Sequence, residues 1–295
     1  MGYDTGENLD YVLSRRAIRL GTMLVVGFSV AYASLIFQTI TNNRILTPSI
    51  MGYEAIFILF QTILVFIYGD KTFQVIAQEI NFLYAVLLMV LFSLGMYFVL
   101  FGKERKNLFH LLLLGMVLGT VFLTLSQFLQ VLLDPNKFSM VQQFMFVSFN
   151  KMNVHLLLVG GITLVATLCY LQAKLKYLDI LALGRDHAIN LGLPYQKLVR
   201  QFLLIIALLV SVSTALVGPI TFLGILVTNL SYALMPTYRH RLLTWFCGIL
   251  ACIFLITGQF FVEHIFGFST TVSIIINFIG GIYFVLLILK TQKRL

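Results

Sequence analysis

Runs of about twenty apolar residues recur along nearly the whole 295-residue chain, and nothing else in it limits the fold so strongly. A helix advances about 1.5 Å per residue, so roughly 20 residues cross a hydrocarbon core of about 30 Å. Lipid offers no partner to an unpaired backbone amide, which leaves only helices and closed barrels as spanning structures. The runs lack the period-two alternation of barrel strands. They predict an all-α membrane protein, a polytopic helical bundle of about nine spans, near residues 19–40, 52–68, 80–101, 108–133, 153–172, 198–217, 221–234, 242–261 and 271–289. The segment 221–234 is short and lies between Gly218-Pro219 and Pro236, which predicts a half-helix held inside protein. A composition of 60% hydrophobic and 11% charged residues agrees, against roughly 45–50% and 25% in soluble domains.

The net charge of +9 is distributed in a way that argues against nucleic acid as a partner. Lys103, Arg105 and Lys106 form one cluster; Lys174, Lys176, Arg185 and Lys197 a second; Arg239 and Arg241 a third; Lys290, Lys293 and Arg294 close the chain. If each span reverses direction, all four fall on one side of the bilayer, which the positive-inside rule makes cytoplasmic. Nine spans then put the N-terminus outside, with Arg15, Arg16 and Arg19 flanking the first span on its outer face. Residues 1–14 are polar and slightly acidic and carry no signal-peptide pattern. Cys169, Cys247 and Cys252 have no metal or redox spacing and read as small core residues. No internal repeat or low-complexity linker divides the chain, so residues 1–295 read as a single transmembrane domain.

Ionisable groups separate transport mechanisms. Coupled carriers keep a carboxylate within the membrane, whereas all eleven acidic residues and all five histidines here fall in loops or near predicted span ends. That reading leaves nothing titratable in the middle of the bundle. It disfavours a secondary carrier, an intramembrane protease and a metal enzyme. A phosphate-binding Gly-x-x-x-x-Gly-Lys-Ser/Thr loop is absent too, so any ATP hydrolysis belongs to another subunit.

Four polar features stand out. Residues 178–193 predict two short helical pieces, Asp179–Leu183 and Asp186–Leu191, broken by Gly184 and ended by Gly192 and Pro194. Leu181, Leu183, Ala188, Ile189 and Leu191 would form an apolar anchor rimmed by Arg185, Asp186 and His187. Gly218-Pro219-Ile220-Thr221-Phe222-Leu223-Gly224 offers tight turns and close helix contact ahead of Asn229. Thr120, Thr124 and Gln127 recur at helical spacing, with Gln130 extending the stripe and Gly115 and Gly119 beside it. Residues 134–152 are rich in Phe and Met, which predicts a short amphipathic helix packed on the bundle or a partner.

The pattern Leu183-Gly184-x-x-x-Ala188-x-x-Leu191-Gly192, followed by Gly218-Pro219-Ile220-x-Phe222-x-Gly224, resembles the permease subunits of iron-siderophore and vitamin B12 ABC importers, the FecCD family. The resemblance runs from about Arg16 to Lys290. It implies a permease subunit of an ATP-driven importer in the bacterial cytoplasmic membrane, carrying ferric siderophores, with cobalamin or haem as alternative cargo. It also implies a second related permease, two ATPase subunits holding ATP and Mg, an external substrate-binding protein, and no cofactor or metal on this chain. Residues 174–197 become the cytoplasmic coupling loop, Thr120, Thr124, Gln127 and Gln130 border the translocation path, and Arg16 and Arg19 meet the binding protein. Arg16-Ala17-Ile18-Arg19, then Gly27, Gln38, Asn43, Pro48 and Gly52, resembles a stretch that follows the first helix in these permeases, which implies a chain that begins one helix late. The sequence departs from the family in two places. Asn43-Arg44-Ile45-Leu46 replaces Asn-Pro-Leu-Ala, and Thr221, Thr228, Asn229 and Tyr232 replace the Gly, Pro, His and Arg of Gly-Pro-Ile-Gly-Phe-Val-Gly-Leu-x-x-Pro-His-x-x-Arg. These departures imply one half of an unequal permease pair.

Overall fold

The computed structural model describes residues 9–101, 108–149 and 153–292. Lys103, Arg105, Lys106, Lys151, Lys293 and Arg294 lie outside them. Every regular element among the described residues is helical. Six helices contain stretches long and apolar enough to cross a membrane: α1 (Leu9–Thr41), α4 (Gln78–Phe101), α5 (Leu108–Val131), α7 (Val154–Leu181), α9 (Tyr195–Val217) and α11 (His240–His264). Three apolar helices are shorter, namely α2 (Tyr53–Tyr68), α10 (Leu223–Leu234) and α12 (Val272–Gln292), whose apolar part ends at Leu286. These nine helices match the nine predicted runs in order. The remaining helical pieces are α3 (Thr72–Val75), α6 (Pro135–Met145), α8 (Arg185–Asn190) and the single turns Pro48–Met51 and Gly69–Lys71.

Burial sorts the helices. The first, α1, is about 50 Å long at 1.5 Å per residue and packs against α7, α9, α10 and α11. Its residues Val26, Ala31, Tyr32, Leu35, Ile36 and Phe37 are fully enclosed, and α9 is buried almost as completely. Small residues bring neighbours close. A Cβ on Gly27 would lie 2.9 Å from Cys252 Sγ, and one on Gly248 would collide with Phe28. By contrast, α4, α5 and α7 present rows of exposed Leu, Val and Phe, surface suited to lipid or another apolar partner. Cys247 and Cys252 are core residues as expected, whereas Cys169 is exposed on α7.

One part of the path is not a simple crossing. After α1 ends at Thr41, the chain turns back, and the turn Pro48–Met51 packs between α1, α5 and α9. Gly115 and Gly119 make room for it: a Cβ on Gly115 would sit 2.8 Å from Met51 Cα, and one on Gly119 3.1 Å from Gly52 Cα. Consequently α2 starts inside the bundle. Its 16 residues cover only about 24 Å, which corrects the expectation that 52–68 is a full crossing. The amphipathic helix predicted within 134–152 is α6, packed on α2, with Val141, Val147 and Phe149 buried.

Candidate functional site

The segment 178–193 is built by glycine. α7 runs without a break to Leu181, so the expected separate piece Asp179–Leu183 is instead its last turn, closed by Leu183 N–H to Ile180 O at 3.1 Å and Gly184 N–H to Leu181 O at 3.0 Å. Gly184 has φ 101°, a value that favours glycine, and starts α8; Gly192, at φ 79°, ends it. The expected apolar anchor divides in two. Leu181 and Ala188 are buried within the chain and hold α8 against its neighbours, whereas Leu183, Ile189 and Leu191 are exposed, with Arg185, Asp186 and His187 exposed around them.

Beside this segment lies a cavity of about 510 Å³, bordered by Arg44, Asp179, Leu183, Tyr232, Tyr238 and His240. His240 is buried and central. Asp179 Oδ1 lies 2.7 Å from its Nδ1 and accepts its backbone N–H at 2.8 Å, while Thr39 Oγ1 lies 2.9 Å from its Nε2. One histidine thus joins α1, α7 and α11. Neither Asp179 nor His240 was legible as a pair, since 61 residues separate them in the chain.

Two sequence departures meet at the same end. The Arg44 guanidinium lies 4.3 Å from the centre of the Tyr232 ring, a cation–π contact. Asn229 Nδ2 donates to Arg44 O at 2.9 Å and to Ile225 O at 3.0 Å. The loop after α1 and the end of α10 are therefore held together by Arg44, Asn229 and Tyr232.

At the start of α10, Gly218 has φ 101°, and a Cβ there would lie 3.2 Å from Phe146 O and 3.3 Å from Phe144 O. Pro219 and Gly224 are buried, and any side chain on Gly224 would collide with Ser34. Phe222 packs beneath Gly280 and meets the Phe284 ring edge to face at 6.3 Å. Thr221 Oγ1 donates to Glu54 Oε2 at 2.9 Å, and Ser49 Oγ donates to Glu54 Oε1 at 2.7 Å. Here the sequence reading needs correction. Glu54 stands near a span end in the chain, but the folded-back turn before it carries that end into the bundle, beside Val30 and Ser34 of α1.

The polar stripe on α5 also divides. Thr120 and Thr124 donate to Met116 O and Thr120 O at 2.9 Å each, and together with Gln127 they are exposed. Gln130 turns inward instead, donating to Ser126 Oγ at 2.9 Å and Thr62 Oγ1 at 3.2 Å. It binds α2 to α5. At the opposite end of the bundle, Arg19 pairs with Glu263 on α11, which also accepts from Gln259 Nε2 at 2.6 Å. Arg16 is half-buried one turn earlier. Among the described residues no three His, Cys, Asp or Glu side chains gather as a metal-binding group.

A helical bundle of long apolar helices with a short glycine-bounded helix between α7 and α9, and a half-helix following a Gly-Pro turn, has the build of a multi-pass transport subunit. The chain matches the FecCD transport family over residues 1–290 and belongs to it. It is 50% identical over 291 residues to the petrobactin import system permease protein YclO of Bacillus subtilis (strain 168), covering 99% of this chain and 92% of that protein. The petrobactin import system permease protein FatC of Bacillus anthracis is 34% identical over 283 residues, covering 95% of this chain and 79% of FatC. Among solved structures, an inward-facing metal-chelate type ABC transporter superposes with a TM-score of 0.81 at 22% identity, covering 95% of this chain and 89% of that one. PsaBC from Streptococcus pneumoniae gives a TM-score of 0.61 at 15% identity, covering 92% and 90%. The fold is therefore that of ABC transporter membrane subunits, and the chain is a multi-pass protein of the cytoplasmic membrane.

Proposed function

We propose that the chain is the transmembrane permease subunit of an importer for ferric siderophores, petrobactin being the foremost candidate. The observation that carries this reading is the 50% identity to a petrobactin permease over 99% of the chain. ATP hydrolysis belongs to a separate pair of ATPase subunits, and this chain supplies no catalytic residue. In this reading residues 1–295 form one permease domain of nine membrane helices, and 174–197 is its coupling loop. Leu183, Ile189 and Leu191 enter a groove on the ATPase, with Arg185, Asp186 and His187 at the rim and Ala188, Gly184 and Gly192 shaping the loop from within. Thr120, Thr124 and Gln127 border the path beside the second permease, and Arg16 and Arg19 meet the external binding protein. Closure of the ATPase dimer would move α8, and the Asp179, His240 and Thr39 contacts would pass that motion to α1 and α11, a hinge transition between packed elements.

The test is to purify the chain with its genomic neighbours and measure ATP hydrolysis as each iron chelate is presented on the binding protein. Stimulation by ferric petrobactin, with little from ferric hydroxamates, cobalamin or haem, is the expected result. Stimulation by cobalamin or haem alone would replace the cargo assignment.

A further inference from the structure

The half-buried Glu54 has a setting that the transport reading does not use. Each of its carboxyl oxygens lies within hydrogen-bond distance of a hydroxyl, Ser49 at 2.7 Å and Thr221 at 2.9 Å. A negative charge within a membrane bundle needs compensation. Among the described residues, no Lys, Arg or His borders its surroundings. What borders them is a cavity of about 20 Å³ lined by Ser34, Ser49, Glu54, Ser213, Thr214 and Thr221, large enough for roughly one water-sized particle. Ser213 spends its hydroxyl on Val210 O at 3.0 Å. Ser34 and Thr214 also line the cavity, and the two residues are only 2% and 3% exposed.

We propose that this cavity binds a single alkali-metal cation of the size of Na⁺, with Glu54 as the charged ligand and Ser34, Ser49, Thr214 and Thr221 as neutral oxygen ligands. Three properties of the site select that chemistry. The ligands are all hard oxygens, which suit non-transition cations. One carboxylate balances one positive charge, whereas a divalent ion would leave a net charge buried. The space of about 20 Å³ suits one small particle. A water molecule could satisfy the hydroxyls, but only a cation would hold the carboxyl group ionised there. The ligands come from α1, the turn Pro48–Met51, α2, α9 and the turn before α10, so the bound ion would brace the half-helix against the folded-back segment.

The experiment is equilibrium binding of radiolabelled Na⁺ to the purified complex in lipid nanodiscs, with choline chloride holding ionic strength constant. Saturable binding of about one ion per copy of this chain is expected, lost in Glu54→Gln, weakened about tenfold in Thr214→Val and retained in Thr214→Ser. No saturable binding, or equal binding in wild type and a folded Glu54→Gln, would overturn the site. Should Glu54→Gln fail to assemble, the Thr214 pair decides: equal affinity in wild type, Val and Ser variants would also overturn it. Neither cargo nor ATP enters this measurement, so its result is independent of the siderophore assignment.

Discussion

At Gly218 a backbone with φ 101° meets the carbonyls of Phe144 and Phe146, so a side chain there would face conformational strain and crowding together. Gly218→Ala is expected to destabilise the fold by about 1–3 kcal/mol, seen as a lower melting temperature of the detergent-solubilised complex. Unchanged melting would show that the turn relaxes freely. A gentler effect is expected at the ion pair of Arg19 with Glu263. Each side chain is about a quarter exposed, so Glu263→Gln should cost only about 0.5–1 kcal/mol. Arg19 thus has a role inside the fold in addition to the proposed docking role. Glu263→Gln would free its guanidinium, and it should therefore speed association with the binding protein, whereas Arg16→Glu with Arg19→Glu should slow it and flatten its salt dependence. Stopped-flow docking at two salt concentrations separates these outcomes. Equal rates in all three proteins would remove Arg16 and Arg19 from the interface.

At the scale of elements, the coupling segment makes a sharper test than its sequence suggested. Ala188 is fully buried within the chain, so Ala188→Arg would disrupt the loop itself and report nothing specific about docking. Leu183 and Leu191 are the exposed apolar residues. Leu183→Asp with Leu191→Asp should leave membrane levels normal and abolish ATPase co-purification, because each substitution puts an unpaired charge into an apolar contact. Normal co-purification would discard the docking assignment. The long helices were legible because a run of about twenty apolar residues has few other folds open to it in a membrane. Glycine and proline spacing likewise located α8 and the turn before α10. Pro48 marked a turn, but its packing back into the bundle was not legible, since Gly115 and Gly119 announce a close approach without naming the partner. Glu54 was misplaced for the same reason: sequence gives distance from a span end, and the depth of that end depends on tertiary packing. The buried set of Gln130, Ser126 and Thr62 has a similar cause, because a polar stripe at helical spacing does not say which of its members turns inward.

For the whole molecule, the question is what covers the exposed apolar faces of α4, α5 and α7 and how many copies of this chain an assembly holds. A homodimeric permease would set each residue opposite its own copy across a two-fold axis, so a change at the cytoplasmic end of the half-helix would appear twice. Thr228, Asn229 and Tyr232 stand where the family pattern quoted above has Pro, His and Arg, and Arg44 lies in the facing loop. The replacements are not scattered, since Asn229 holds the Arg44 backbone and Tyr232 holds its guanidinium. A partner that keeps the ordinary residues would tolerate such a departure more easily than an identical copy would. One copy of this chain beside one related permease, over two ATPase subunits, is therefore expected from native mass spectrometry of the solubilised complex. An assembly containing two copies of this chain and no second permease would overturn that expectation. Arg44→Pro combined with Tyr232→Arg tests the same argument from within: the pair should assemble better than either single variant, because each alone leaves the other partner's contact broken.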